Sequence, residues 1–216
     1  MLVEKISKFV SAVATEIKSL KKEIVASGVL KGDGRPDIKS EMDNLPKGTL
    51  YKDNLATNGA VLWLKTGNGR NWTVISGDTG WRTLNIVSKL GNSYLKVRRK
   101  NDTIMYQFGG LSWGWFGIVR RGGQGYQVQP SDRERNVFIL GLHGVPEGFR
   151  SEASLIGGIY NDKGVPYGTW YVGGPGDGNM LRFQFTDPVP TDRDIGDIRV
   201  SNIMYFTNDT WPTRLP

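Results

Sequence analysis

The side chains best placed to do chemistry in this sequence are aromatic. Trp113 and Trp115 stand in Gly110-Leu-Ser-Trp-Gly-Trp-Phe-Gly117, and a second group, Tyr167, Trp170 and Tyr171, precedes the loop Gly173–Gly178. An exposed indole or phenol ring stacks on the apolar face of a pyranose, so either group can serve as a sugar platform. Asp177, Asn179 and Arg182 lie close in sequence to the second group and can hydrogen-bond sugar hydroxyls. The competing reading is packing. Trp113 and Trp115 share one strand face by period two and suit a core or a chain–chain interface. Tyr167, Trp170 and Tyr171 suit a hairpin whose rings close a β-sandwich.

A second chemistry is electrostatic. Lys96, Arg98 and Lys100 alternate on one face of a strand, in a chain with a net charge of +7. Such a face is solvated by default, and it also suits the phosphates of an anionic polymer. No helix-turn-helix, zinc-finger spacing or RNA-binding aromatic motif accompanies the charge, so nucleic acid is not the expected partner.

Catalysis has little support. There is no cysteine and a single histidine, His143, which removes thiolate chemistry and multi-His metal sites. No Gly-x-Ser-x-Gly turn is present. Asp187, Asp192, Asp194 and Asp197 cluster in a loop-like stretch, where bonding to loop amides is a better account than paired acid–base work. Asp33 and Asp37 flank glycine without the spacing of a calcium loop. The expectation is a non-enzyme with no cofactor and no metal.

These residues must be held by a scaffold. Val3, Ile6, Val10, Val13, Ile17, Leu20 and Ile24 are spaced alternately by three and four, a heptad seam that predicts a helix over 1–28. β-branched residues at both seam positions favour a parallel trimer over a dimer. Glu4, Lys5 and Lys8 interrupt the first apolar run, so no signal peptide is expected, and no apolar run is long enough for a membrane span. Glycine and proline between Gly28 and Pro46 predict a linker over 29–47. Trp63, Trp72 and Trp81 recur every nine residues with turn signals between them, which predicts a three-stranded β-meander over 48–86. So small a segment needs partners, and threefold copies sharing their indoles would supply them. Alternating runs such as Tyr94–Arg98, Thr103–Phe108, Met180–Phe185 and Ile198–Tyr205, divided by turns, predict a jelly-roll-like β-sandwich over 87–216. The 29 glycines, without a Gly-X-Y period, fit a turn-rich, mainly β chain and exclude collagen. Trp211, before Pro212, is expected to lock the C-terminal segment.

Several stretches together resemble a known group. Gly48-Thr-Leu-Tyr-Lys-Asp53, Asn58-Gly-Ala-Val-Leu-Trp63 and Asn71-Trp-Thr-Val-Ile-Ser-Gly-Asp-Thr-Gly-Trp-Arg82 resemble a module of tail and fibre proteins from phages of Gram-positive bacteria. Gly148-Phe-Arg150 resembles that group's PxGFRP segment, with Glu147 and Ser151 departing from the usual neighbours. Val189–Gly196, Arg199–Ser201 and Tyr205–Pro216 resemble its closing strands. The resemblance implies a homotrimeric receptor-binding fibre: a coiled-coil stem, a meander shoulder and a β-sandwich head. Such a protein is made in the host cytoplasm and acts outside the cell, as part of the virion. Its partners would be other virion proteins and a host cell-wall saccharide or teichoic acid, with no membrane or nucleic acid. A purely structural head-fibre or baseplate part is the first alternative, and a wall-polymer depolymerase the second.

Overall fold

The computed structural model describes residues 2–87, 92–111, 136–185 and 196–216. The protein is mainly β, with one long N-terminal helix, and it divides into two compact units, Met1–Gly77 and Asp78–Pro216.

In the first unit, helix α1 (Leu2–Ser27) runs without glycine or proline until Gly28 breaks it. The ion pair Glu4–Lys8, at 3.5 Å, is a surface i,i+4 contact of small value. The described seam side chains are exposed: Ile6 is 54%, Val10 59% and Ile17 49% exposed, and Val13 is exposed as well, as is Phe9 beside them. The side chains of Val3, Leu20 and Ile24 lie outside the described residues.

A four-stranded sheet follows, with β1 (Val29–Gly32), β2 (Leu50–Asp53), β3 (Ala60–Lys65) and β4 (Trp72–Gly77) in sequential order. β1 pairs parallel to β2, and the other pairs are antiparallel. Part of the expected linker is therefore a strand. The remainder holds two 3-10 turns, Pro36–Ile38 and Ser40–Met42.

The core of this sheet unit is unusually polar. Tyr51 and Trp63 face each other across β2 and β3, fully buried. A cation sits over each of three rings: Arg35 is 5.2 Å from the Trp63 centroid, Lys39 5.4 Å from Tyr51 and Lys65 5.1 Å from Trp72. Lys65 is fully buried and donates to the carbonyls of Met42, Asp43 and Gly69. Buried Asp53 accepts from the backbone N–H groups of Gly34, Leu55 and Thr57 at 2.8–2.9 Å. Burial alone would raise its carboxyl, but the Thr57, Leu55 and Gly34 hydrogen bonds outweigh that and hold it below the ordinary value. With Trp63 buried inside one chain, its ring is not shared between copies as the sequence suggested.

The second unit holds two sheets. One has β5 (Arg82–Leu84), β6 (Tyr94–Lys100), β7 (Thr103–Gly109) and β13 (Met204–Phe206), in the order β13-β7-β6-β5. The other has β8 (Asn136–Leu140), β9 (Leu155–Asn161), β10 (Pro166–Val172), β11 (Leu181–Phe185) and β12 (Ile198–Val200), in the order β12-β9-β10-β11-β8. Inward residues of both sheets, among them Leu95, Val97, Ile104, Ile159, Val172, Leu181 and Phe183, form one hydrophobic core. Phe108 meets Phe183 with ring centroids 5.4 Å apart.

Two expectations are corrected here. The strand after Trp81 does not close the meander: β5 pairs with β6, and the unit boundary falls between Gly77 and Asp78 rather than at 86. Trp81 is 41% exposed. Among the described strands, β5-β6-β7 and β9-β10-β11 are each neighbours within one sheet. A jelly roll would alternate consecutive strands between sheets, so this order departs from it.

One buried charge ties the second unit together. Arg99 falls on the inward side of β6, between Val97 and the end of the strand. Its guanidinium donates to the carbonyls of Asn101 (2.8 Å), Gly148 (2.7 Å), Thr210 (2.9 Å) and Asp209 (2.9 Å). Burial pulls this group down to about 10, against the opposing charges of Asp209 and Asp102. Gly148, at φ +85°, has no room for a side chain, since a Cβ would stand 2.7 Å from the Pro212 ring.

Candidate functional site

Of the aromatic groups singled out above, the structure splits the second in two. β10 alternates from Gly168 onward, so Trp170 and Val172 point inward and are buried while Tyr171 points outward; Tyr167, three residues before Trp170, is also buried because the register shifts between Pro166 and Gly168. Trp170 is 6% exposed, covers Gly157 of β9 and donates its indole N–H to Ser201 Oγ at 2.7 Å. Tyr167 and Trp170 are thus corrected from sugar-facing residues to core residues: their ring faces are consumed by packing. Trp113 and Trp115 lie outside the described residues.

Tyr171 keeps company with the polar residues expected near it. Strand register places Ile156, Tyr171, Arg182 and Phe138 in one row across β9, β10, β11 and β8. Ile156 and Phe138 are exposed, at 68% and 40%. The Arg182 guanidinium lies 4.7 Å from the Tyr171 ring centroid. After β10 the chain turns through Gly173 and Gly174 into a 3-10 turn, Pro175–Asp177. That turn returns Asp177 to the row: Tyr171 Oη donates to Asp177 Oδ2 at 2.7 Å, and Ser154 Oγ donates to the same oxygen. Hydrogen bonds from Ser154 and then Tyr171 hold the Asp177 carboxyl below its ordinary value, with a smaller contribution from the Arg182 charge.

The result is a half-buried, outward-facing aromatic ring, a guanidinium and an ionised carboxylate in one cluster. It can accept from and donate to hydroxyls beside an apolar face. It is poorly suited to proton donation, because a general acid needs its carboxyl raised. Asn179 does not join this cluster. It sits at φ +46° beyond the 3-10 turn, with its N–H on Gly174 O (3.1 Å) and its carbonyl accepting from Val145 N (2.9 Å).

The basic strand is partly occupied. Lys96 Nζ lies 5.1 Å from the Tyr94 ring centroid. Arg98 donates to Asp78 at 2.8 Å through Nε, forms a second contact through Nη2, and lies 6.0 Å from the Trp81 ring centroid. The Arg98 hydrogen bond, ahead of burial, holds Asp78 below its ordinary value. Arg98 is therefore committed to an internal ion pair, and Lys100 is the exposed cation of the three.

Asp187, Asp192 and Asp194 lie outside the described residues, and Asp197 pairs with Arg199 at 3.4 Å. Among the described residues, no three His, Asp or Glu side chains converge as metal ligands, and no helix is long and apolar enough to cross a membrane. Sequence reasoning missed Ser154, which lies 23 residues from Asp177 and is brought there only by the turns flanking β9 and β10. It also missed Arg99, whose period-two inward position was readable but whose charge argued for solvent. Trp211 is buried with the Arg99 guanidinium 4.9 Å from its ring centroid, which is the anchoring expected of it.

No protein-family model, no curated protein and no solved structure matches this chain, so its function is argued from its own residues.

Proposed function

We propose that this chain is a homotrimeric phage virion fibre protein that attaches to a saccharide-bearing polymer of a Gram-positive cell wall. The observation that carries the reading is the helix α1, whose heptad seam at Ile6, Val10, Val13 and Ile17 is exposed along its described length. A regular apolar seam left exposed by the described residues suits an assembly surface, and β-branched residues at both of its core positions favour three strands. The motif resemblance over residues 48–216 supplies the virion context. Three copies of a weak surface cluster, such as Tyr171, Arg182 and Asp177, gain avidity that one copy lacks.

A second reading has an observation of its own. With Trp170 and Tyr167 buried in the core, two of the expected sugar-facing rings are unavailable, which favours a structural virion part without a receptor site. The depolymerase reading is weaker. Among the described carboxylates, those that depart from their ordinary values (Asp53, Asp78 and Asp177) all move downward, away from general-acid behaviour.

Fluorescently labelled protein mixed with intact host cells, and with cells stripped of wall polymers, decides between adhesin and structural part. Binding that disappears on stripping supports the adhesin. Absence of binding to either overturns it in favour of the structural part.

A further inference from the structure

An asparagine or aspartate followed by glycine carries its side-chain carbonyl carbon next to an unhindered nitrogen, because glycine has no Cβ to block the approach. The sequence has four such pairs: Asp33-Gly34, Asn58-Gly59, Asn68-Gly69 and Asp177-Gly178. The fold treats them differently. Gly34 N–H donates to Asp53 Oδ1 at 2.8 Å, Gly59 N–H to Ala56 O at 2.7 Å and Gly178 N–H to Pro175 O at 3.3 Å. A nitrogen held in this way must break its hydrogen bond before it can attack. Among the described residues, nothing accepts from the Gly69 N–H.

The two asparagines also differ in setting. Asn58 is half-buried and fixed at φ +53° within the 3-10 turn Thr57–Gly59. Asn68 is exposed at the tip of the β3–β4 hairpin, beyond the bond from Thr66 N–H to Asn71 O at 2.9 Å. Its main-chain carbonyl accepts from Asn71 Nδ2 at 2.9 Å.

We propose that Asn68 is a site of spontaneous modification, where the Gly69 nitrogen displaces the side-chain amide and leaves isoaspartate or aspartate. The Gly69 N–H gives its proton to hydroxide and the nitrogen bonds to Asn68 Cγ. The Cγ–Nδ2 bond breaks, and ammonia leaves with a proton taken from water. Water then opens the resulting succinimide at either carbonyl. Cleavage of the new Cγ–N bond gives aspartate. Cleavage of the original C–N bond gives isoaspartate, whose main chain runs through Cγ. Both products carry a carboxylate where an amide stood.

The position of Gly69 gives the reaction a consequence inside the protein. Its carbonyl accepts from Lys65 Nζ, a fully buried ammonium whose other acceptors are Met42 O at 3.1 Å and Asp43 O at 3.3 Å. Isoaspartate adds one carbon to the main chain immediately before Gly69 and displaces that carbonyl. A buried charge that loses an acceptor is destabilising beyond the loss of a neutral hydrogen bond. Aspartate keeps the main-chain length and therefore the Lys65 bond. The hairpin tip thus couples a slow surface reaction to the polar core of the first unit. This inference rests on the hairpin alone and is independent of the fibre reading.

The test is ageing of the intact protein at neutral and at mildly alkaline pH, followed by peptide mass spectrometry and by methyl transfer from an isoaspartyl methyltransferase. Asn68 is expected to gain the mass of an acid replacing an amide, faster at the higher pH. It should convert about tenfold faster than Asn58, the rate ratio for one net hydrogen bond of ~1.4 kcal/mol at Gly59. Methyl transfer should locate isoaspartate at position 68. Aged protein should melt lower by roughly 5 °C, the scale of one lost bond to a charge in a unit of this size. Asn68→Gln closes a larger ring far more slowly and should age without that shift. Fresh Asn68→Asp should keep the parent Tm, which assigns the shift to the extra main-chain carbon rather than to the charge. No conversion at Asn68, or equal conversion at Asn58 and Asn68, overturns the proposed site. Conversion at Asn68 with an unchanged Tm, or the same Tm loss in fresh Asn68→Asp, overturns the coupling to Lys65.

Discussion

The Arg99 guanidinium lies 4.9 Å from the Trp211 ring centroid while donating to the main-chain carbonyls of Asp209 and Thr210. A strand residue and a residue 112 positions later in the sequence (211 − 99) are thereby joined by both a ring face and hydrogen bonds. Arg99→Met removes the charge and leaves the facing carbonyls without a donor. We expect a loss of about 3 kcal/mol of stability, read as an earlier denaturant midpoint, with Arg99→Lys recovering little of it. An unchanged midpoint would show that water replaces the guanidinium without cost.

Trp170→Ala should act on folding. The ring is buried against Gly157, so its removal opens a cavity worth ~3–5 kcal/mol, and thermal unfolding should start well below that of the parent. Lost cell binding at an unchanged Tm would instead make Trp170 a contact residue.

The Tyr106–Tyr205 pair sets an alkaline limit. The hydroxyls are 3.3 Å apart in the core, and Tyr205 Oη donates to Phe149 O at 2.6 Å. Burial pushes Tyr106 up to about 12 and raises Tyr205 as well. A raised folded value means the folded protein holds its phenol protons longer than the unfolded chain. The Tyr106 contribution is complete below pH 10 and is lost as pH rises towards 12, at ~1.4 kcal/mol per pH unit, and the raised Tyr205 acts in the same direction. Stability measured from pH 9 to 12 should fall along this limb, and the slope should shrink in Tyr106→Phe. An equal slope in that variant would assign the loss to other groups.

Assembly should depend on the helix seam. Light scattering of the intact protein is expected to give the mass of three chains, and Ile17→Asn with Ile24→Asn should reduce it by placing polar groups in the seam. A stable dimer or monomer at micromolar concentration would refute the trimer.

Salt dependence tests the basic strand. Arg98 already pairs with Asp78, so Lys96→Ser with Lys100→Ser should change cell binding less than threefold, and added salt should weaken it little. Steep salt dependence, abolished by those substitutions, would restore the anionic polymer as the receptor.

How much of this was legible depended on whether a signal is local. The heptad seam of α1 is a pure spacing signal and was readable directly. The turn-rich β character of the second unit was readable for the same reason. The nine-residue tryptophan period was misleading because it measures distance along the chain and says nothing of pairing partners. Trp63 and Trp72 sit in one sheet, while the strand after Trp81 pairs with β6. β1 was unreadable because four residues between glycines become a strand only through a parallel partner 21 residues later, Val29 opposite Leu50. At Trp170 and Tyr171, period two showed that one ring must face in and the other out, but both residue types suit either side. Ser154 and Asp177 belong to loops 23 residues apart in sequence, and only the folded loops bring them together.

The bonds from Arg99 to Asp209 and Thr210 also impose an order on synthesis. At ~5–20 residues per second, the ribosome adds the 111 residues from Arg99 to Thr210 in about 5–20 s. Throughout that interval β6 carries a guanidinium aimed at a core whose closing carbonyls do not yet exist. Until residues 204–210 are made, the nascent second unit therefore has an open β7 edge and an Arg99 guanidinium answered only by the carbonyls of Asn101 and Gly148. Conditions that slow elongation lengthen this exposed interval, so yield of soluble protein should respond to expression temperature and chaperone supply more than to codon choice near Arg99.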